Sequence, residues 1–192
     1  MNKIRKGILV IGCLLIVSGV SLLTLFCVRI NSANRRNDEI VHIINTILPE
    51  RRDGNQEPGR DTNMPVLEIQ EESLIALLEI PSYGLALPVG EKWNKSKITS
   101  YPCRFRGTAY DGSLVIGGSD QSGMFDFFDR IYEGTAVKVT DMTGTQFSYV
   151  VDRIDRSKSA EAEILVDYNA DLTLFVRDAQ LLEYIILRCL EK

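Results

Sequence analysis

The chain has 192 residues, 45% apolar and 25% charged, which suits one folded domain of ordinary composition with some additional segments. Its net charge of −4 is unevenly spread, because residues 1–36 carry six basic and no acidic side chains, whereas the remainder carries 16 basic and 26 acidic ones. Phosphate backbones repel an acidic domain of this kind, so the composition argues against nucleic acid as a partner.

The first segment predicts a membrane anchor. After a basic tail over residues 1–6, residues 7–30 contain an uncharged apolar run from Ile8 to Val28, about the length that a spanning helix needs. A cleaved signal peptide has a shorter apolar region and a small-x-small exit, so we favour an uncleaved anchor. Basic residues flank both ends of the run, and charge therefore does not fix its orientation.

Residues 31–73 predict a short helix followed by a polar linker. Asn37 is a suitable N-cap, and Pro49 ends the pattern. The apolar positions between them recur at helical spacing: Ile40, Ile43, Ile44, Ile47 and Leu48. His42, the only histidine, falls on the polar face, where a solvated helix residue is favoured over a catalytic base. Residues 49–65 are polar with scattered Pro and Gly, which predicts a spacer between membrane and domain.

From Leu74 onward, short β-rich runs alternate with turn residues, which is typical of a barrel or a sandwich. The predicted strands are Leu74–Ile80, Gly84–Val89, Leu114–Gly117, Ala136–Thr140, Gln146–Arg153, Leu172–Val176 and Tyr184–Leu190. Two helical interludes, Met124–Ile131 and Ala160–Val166, are predicted to cover the barrel openings. Trp93 follows the second strand in a polar loop, and we expect it to cover an apolar edge rather than to bind a ligand.

Four cysteines do not make a disulfide framework in a chain of this length. Cys13 and Cys27 lie in the apolar run and behave there as small hydrophobes. Cys103 and Cys189 remain, with three alternatives: buried thiols, one bridge between them, or one reactive thiol. Buried thiols are favoured.

No cofactor or metal is predicted. The acidic positions after residue 160 do not have the spacing of a recognised calcium loop, and a solvated helix face is favoured for them. These positions are Glu161, Glu163, Asp167 and Asp171.

Six blocks in order resemble the sortase family, the membrane-anchored cysteine transpeptidases of Gram-positive bacteria. They are residues 78–89 (LEIPSYGLALPV), 102–107 (PCRFRG), 112–118 (GSLVIGG), Phe125 with Phe128, Ile131 and Gly134, 146–151 (QFSYVV), and 172–175 (LTLF) with the closing strand 185–189 (IILRC). The resemblance implies a mainly β fold: a closed sortase-like barrel of about seven to eight strands over residues 74–192, with short helices. It also implies a single-pass protein of the plasma membrane, with a cytoplasmic amino terminus and an extracytoplasmic domain.

The departures from the family pattern fall on its catalytic positions. The block ending in Gly117-Gly118 is followed in the family by the catalytic histidine, and here Ser119 stands there. The Leu-Thr-Leu block leads in the family to the nucleophilic cysteine, and here Arg177 occupies that position. The family arginine that stabilises the oxyanion opens the last strand, where this chain has Tyr184; Arg188 on the same strand face is its only nearby substitute.

These losses predict a sortase-like pseudoenzyme. Acyl transfer needs a thiolate to attack the peptide carbonyl and an acid to protonate the leaving amine. Arg177 stays protonated and cannot attack, and Ser119 has no suitable pKa for proton transfer. We therefore expect no catalytic residue, and a binding or regulatory role in cell-wall or pilus protein anchoring. The expected partners are sorting-signal peptides, surface proteins or active sortases. The alternative is an active transpeptidase with a relocated nucleophile, Cys103 or Cys189.

Overall fold

The computed structural model describes residues 2–48, 52–53, 63–159, 161–165, 169–179 and 181–192. Two helices are α1 (Asn2–Ile47) and α2 (Ala162–Leu165). The strands are β1 (Arg52–Asp53), β2 (Leu67–Ile69), β3 (Glu72–Ile80), β4 (Leu85–Gly90), β5 (Cys103–Arg106), β6 (Leu114–Ser119), β7 (Ala136–Asp141), β8 (Thr145–Ser157), β9 (Leu172–Asp178) and β10 (Glu183–Glu191).

Eight of these strands close into a barrel. The sheet runs β8-β10-β9-β6-β5-β4-β3, and β7 closes it by pairing with both β3 and β8. Most pairs are antiparallel, but β6 and β9 run parallel. The predicted fold class is confirmed, and each of the seven predicted strands is present. The short strands β1, β2 and β5 were not predicted, because two to four residues carry too little alternation to stand out.

Strand alternation separates an interior from an outer face. Leu114 and Ile116 of β6, Leu174 and Val176 of β9, and Leu187 of β10 belong to the main buried cluster inside the barrel. The residues between them point outward. Because the pattern holds on all three neighbouring strands, the outer face of β6, β9 and β10 forms one continuous surface.

Helix α1 extends well beyond its apolar run. The separate helix predicted from Asn37 is wrong, since α1 continues without a break from the apolar run to Ile47. Its apolar window lies entirely outside the barrel core and is long and apolar enough to cross a membrane. Ile40 and Ile44 are fully buried against the outside of the barrel near Leu74. The distal half of α1 is therefore part of the folded domain.

A polar cluster fixes α1 in place. Asn37 is buried, and its amide donates to the Ser100 carbonyl at 2.6 Å instead of capping a helix. The preceding residue, Arg36, forms an ion pair with Glu72 at 3.1 Å. Glu72 also accepts from Lys97 Nζ and from the Tyr101 hydroxyl, each at 2.5 Å. Burial opposes ionisation of Glu72, but these hydrogen bonds and the two cations leave its pKa below the ordinary value.

The two interludes differ from prediction. Residues 121–130 form hydrogen-bonded turns rather than a helix, although Phe125 and Phe128 stack face to face in the barrel core. Burial of aromatic side chains, not helical hydrogen bonding, accounts for the pattern that had suggested a helix. The second interlude is helical over Ala162–Leu165, and its predicted ends, Ala160 and Val166, lie outside the described residues. Most of the predicted linker over residues 49–65 also lies outside them.

Candidate functional site

The three positions singled out by sequence lie side by side on adjacent strands. In the parallel pair β6 and β9, Ser119 is the partner of Arg177, and in the antiparallel pair β9 and β10, Arg177 is the partner of Tyr184. We call Ser119, Arg177 and Tyr184 the vacant row, because none carries a thiol or an imidazole. The register therefore brings together residues that are far apart in sequence.

The vacant row lies on the outer face of the barrel. Phe175, two residues before Arg177, and Ile186, two residues after Tyr184, both belong to an outer cluster that contains no interior residue. Since every second side chain of a strand shares a face, Arg177 and Tyr184 point outward as well. Ser119 is half-buried, and its backbone amide donates to Met124 Sδ at 3.2 Å.

Arg177 is exposed and has no ion pair with a described residue. An arginine beside Asp178 and close to Asp120 would ordinarily pair with one of them, but both carboxylates are engaged elsewhere. Asp120 Oδ2 accepts the Ala179 amide at 2.8 Å, and Asp178 Oδ1 accepts the Leu181 amide at 3.0 Å. Both carboxylates thus hold the β9–β10 turn, and the guanidinium of Arg177 remains open to solvent.

Arg188 has the opposite environment. It is 5% exposed, and its guanidinium contacts Asp155 at 3.1 Å, the Leu165 carbonyl at 2.8 Å and the Thr173 hydroxyl at 3.2 Å, with a further short bond to the Ile164 carbonyl. An arginine so fully engaged holds α2 against the strands. These contacts engage the N–H groups of Arg188, so the guanidinium is not available to stabilise an oxyanion at the vacant row.

Aromatic rings fill the outer face next to the vacant row. Trp93 lies 5.4 Å from Phe105 and 5.5 Å from Phe175, measured between ring centres, and Tyr184 lies 6.5 Å from Phe175. The rings pack directly on Gly117, where an added Cβ would lie 2.4 Å from Phe175 and 2.5 Å from Trp93. As expected, Trp93 covers an apolar surface of the barrel.

Two clefts lie near these residues. The larger, about 460 Å³, lies beside Trp93 and Phe105 and is also lined by Arg104, Arg106 and Asp111. Its combination of aromatic rings, guanidinium groups and a carboxylate suits polar and amphipathic ligands. The smaller, about 130 Å³, lies over interior side chains, and no residue of the vacant row lines it. Its lining residues are Asp120, Phe125, Asp126, Phe128, Asp129, Val176, Asp178 and Ile185.

Both candidate substitute nucleophiles are buried thiols. Cys103 and Cys189 are free and fully buried, so the bridge between them is not formed. Burial raises the pKa of Cys103 to about 11 and that of Cys189 to about 12. Cys189 faces the barrel interior, and Cys103 belongs to the cluster beneath α1. Neither thiol lies in the vacant row.

The remaining candidates also lie apart from the row. His42 is an exposed residue of α1, with Thr46 as its neighbour at 3.2 Å. Among the described residues no group of acidic, histidine or cysteine side chains is arranged to hold a metal ion. Asp167 of the acidic stretch lies outside the described part of the chain.

Two features had no local signal in the sequence. One is the role of Glu72 at the base of α1, and the other is the packing of Phe105 on Trp93. Both depend on strands and loops that meet only after folding. Asp155, the acid that pairs with Arg188, is 33 residues away in sequence.

Comparisons with known proteins agree with this architecture. A family model described as Sortase domain matches residues 78–179. Sortase A from Corynebacterium diphtheriae is 18% identical with a TM-score of 0.56 over 85% of this chain and 82% of that chain, and its lid mutant is 22% identical with a TM-score of 0.56 over 64% and 72%. A Clostridium perfringens Sortase D5 transpeptidase is 19% identical with a TM-score of 0.52 over 62% and 79%. No curated protein matches the chain.

Proposed function

Because the chain belongs to the sortase family, we propose that it is a non-catalytic member that acts at the cell surface as a binding or regulatory module for surface-protein anchoring. The observation that carries the proposal is the vacant row. Ser119, Arg177 and Tyr184 are aligned across β6, β9 and β10, and none of them supplies the thiolate that a sortase uses as its nucleophile.

The chemistry of the row supports this reading. A sortase acyl transfer requires a thiolate, and a guanidinium in its place neither attacks a carbonyl nor gives up its proton near neutral pH. A serine without a base beside it is a poor proton donor or acceptor at that pH. Loss of the nucleophile alone removes most of the rate, because members of a catalytic unit are not additive.

The surroundings of the row support binding. The barrel core is intact, the cleft beside Trp93 is open to solvent, and Arg177 is exposed. An exposed guanidinium forms bidentate hydrogen bonds with carboxylates, and aromatic walls bind the apolar parts of an extended peptide. We therefore expect the ligand to be a peptide segment of a surface protein, such as a sorting signal, or a segment of an active sortase.

The membrane topology is part of the proposal. Helix α1 spans the plasma membrane once, with a cytoplasmic amino terminus and the barrel outside. The long apolar window of α1 and the absence of a break before its docked half support an uncleaved anchor. Mass spectrometry of the protein isolated from membranes tests this, since a chain that has lost residues 1–30 would contradict it.

The alternative function is a transpeptidase that uses Cys103 or Cys189. Their raised pKa values leave only about one thiolate in ten thousand or fewer at pH 7, because each pKa unit is a factor of ten. A nucleophilic cysteine needs a lowered pKa and access to substrate, and burial denies both. No observation on the described residues favours this alternative.

A transfer assay on the full chain in nanodiscs distinguishes the two functions. Residues 34–47 pack on the barrel, so the anchor helix is retained. A library of sorting-signal peptides is incubated with an amine acceptor and the unmodified chain, Cys103→Ala or Cys189→Ala. We expect no cleavage or transfer from any of the three. Turnover that disappears in one cysteine variant would show a relocated nucleophile and overturn the proposal.

Binding is measured with the same library. We expect a subset of peptides to bind the unmodified chain, and Arg177→Ala to weaken that binding, because it removes the open guanidinium. Tyr132→Ala serves as the control, since Tyr132 is 60% exposed and lies outside the vacant row and both clefts. Equal binding by all three proteins would locate the ligand elsewhere.

A further inference from the structure

One end of the barrel lies directly against the anchor helix. The amide of Asn34 donates to the Ser122 carbonyl at 3.1 Å, and an added Cβ at Gly123 would meet Asn34 at 2.6 Å. A cleft of about 550 Å³ lies beside these contacts, lined on one side by α1 and on the other by two barrel loops. Its residues are Phe26, Val28, Arg29, Ser32, Ala33, Arg36 and Asn37 of α1, with Thr99, Ser100 and Gln121 of the loops.

These contacts locate the loop after β6 relative to a bilayer. Asn34 is six residues beyond Val28, the last residue of the apolar run, so it stands about 9 Å above the run at the helical rise of 1.5 Å per residue. The headgroup layer on each side of a bilayer is about 5–8 Å thick. The loop that contains Gln121 and Ser122 therefore stands at the membrane surface.

The β9–β10 turn is attached to this same loop. Asp120, the residue before Gln121, accepts the Ala179 amide at 2.8 Å. Since β6 and β9 run parallel and end in register, the turn that follows β9 leaves the barrel at the same end as the loop that follows β6. The turn therefore lies next to the loop that contacts the anchor.

The turn displays apolar side chains there. Leu181 and Leu182 are 59% and 63% exposed, and among the described residues outside α1 only Tyr132 is a comparably exposed large apolar side chain. Leu182 has φ of 55°, a left-handed conformation that leucine rarely adopts. A strained turn held by two aspartates thus presents adjacent leucines outward beside the membrane.

We propose that Leu181 and Leu182 insert into the outer leaflet, so that the lipid bilayer itself is the partner of the β9–β10 turn. Burial in the acyl boundary stabilises such leucines. The barrel is then held on the membrane at two points, α1 and the turn. The proposal rests on the proposed membrane-spanning role of α1.

Quenching by brominated lipid tests the insertion. Trp93 is replaced by Phe, and a single tryptophan is introduced into the full chain as Leu181→Trp or, as a second variant, Leu182→Trp. The proteins are placed in nanodiscs of phosphatidylcholine with or without bromine on the acyl chains. Leu25→Trp within the apolar run is the positive control. Ile47→Trp is the negative control, because Ile47 is 52% exposed and about 28 Å beyond Val28 along α1.

We expect bromine to reduce the emission of Leu181→Trp or Leu182→Trp to a value between those of the two controls. Emission unchanged in both turn variants, while Leu25→Trp is quenched, would overturn the insertion and leave the anchor intact. A blue-shifted turn tryptophan that bromine does not quench would indicate a protein contact instead and would also overturn it. Loss of quenching in Leu25→Trp would overturn the anchor and the insertion together. If Trp93→Phe lowers the folded yield, the variants are compared with Trp93 retained and the emission of the unmodified chain subtracted.

Discussion

The two ends of the outer face of β6, β9 and β10 differ sharply. At one end Arg188 is buried and bonded to a carboxylate, a hydroxyl and two carbonyl groups, and the cluster around Phe175 and Leu165 is closed. At the other end Arg177, on the same face, is exposed, and the nearby carboxylates of Asp120 and Asp178 accept backbone amides. One arginine maintains the barrel, whereas the other is available to a ligand.

Arg177 and Arg188 show that residue type alone does not reveal whether a side chain stabilises the fold or is available to bind a ligand. Either arginine, seen only in sequence, fits an oxyanion or carboxylate contact. The number of hydrogen-bond acceptors around each guanidinium distinguishes the two arginines. The buried guanidinium of Arg188 has its donors engaged and is structural, whereas the exposed guanidinium of Arg177 is available to a ligand. Four experiments test and sharpen this contrast.

Removal of Arg188 should have the largest effect. Arg188→Ala leaves the Ile164 and Leu165 carbonyls without a donor and removes one of the two arginines bonded to Asp155, so we expect a loss of about 2–4 kcal/mol of unfolding free energy. Arg177→Ala, the matched control on the same face, should change it by less than about 0.5 kcal/mol. Chemical denaturation of the full chain in mild detergent measures both. Equal losses would abolish the contrast between the two ends.

Crowding of the closed end should have the next largest effect. In Gly117→Ala the new methyl group would overlap Phe175 and Trp93, which costs about 1–3 kcal/mol for an overpacked site. Ser119→Ala, two residues along the same strand and face, is the control and should be nearly neutral. Trp93 emission reports displacement of the ring directly. A stable Gly117→Ala protein with unchanged emission would contradict the packing described for this surface.

The exposed end of the outer face should support a reactive thiol when cysteine and histidine are introduced into the vacant row. Arg177→Cys places a thiol in the row, and Arg177→Cys with Ser119→His places an imidazole on the neighbouring strand. A cationic imidazole stabilises a thiolate, so we expect its pKa to fall by about one unit and alkylation at neutral pH to accelerate about tenfold.

Iodoacetamide rates as a function of pH measure this effect in a background that carries Cys13→Ala and Cys27→Ala. Arg177→Cys with Ser119→Ala is the control and should react like Arg177→Cys alone. If histidine gives no acceleration, the side chains of positions 119 and 177 do not meet.

The smallest predicted effect concerns the packing of α1 on the barrel, whose contribution to stability should decrease at acidic pH. The pKa of Glu72 is below its ordinary value of 4.5 in the folded protein, so its contribution is present above that value and is lost as pH falls through the folded pKa. We expect the stability of the unmodified chain to fall below about pH 4.5 by up to about 1 kcal/mol more than that of Glu72→Gln. Parallel curves for the two proteins in acid denaturation would exclude this role of Glu72.

The sequence by itself was sufficient for the elements with long local signals. The apolar run of α1, the seven longer strands and the order of the family blocks are carried by contiguous residues, and periodicity or composition shows them directly. The buried thiols favoured for Cys103 and Cys189 are also confirmed. The turns over residues 121–130 are the exception, because their aromatic spacing imitates that of a helix.

Only the tertiary structure decided which of these elements meet. The alignment of Ser119, Arg177 and Tyr184 arises from one parallel and one antiparallel pairing, and register is set by packing over the whole barrel. The continuity of α1 with its docked half depends on Ile40, Ile44 and Glu72, whose partners lie in loops and strands that no local pattern connects. The exposure of Arg177 and the saturation of Arg188 follow from the same physical fact: the number of polar groups around a side chain is a property of the fold, and the residue alone does not contain it.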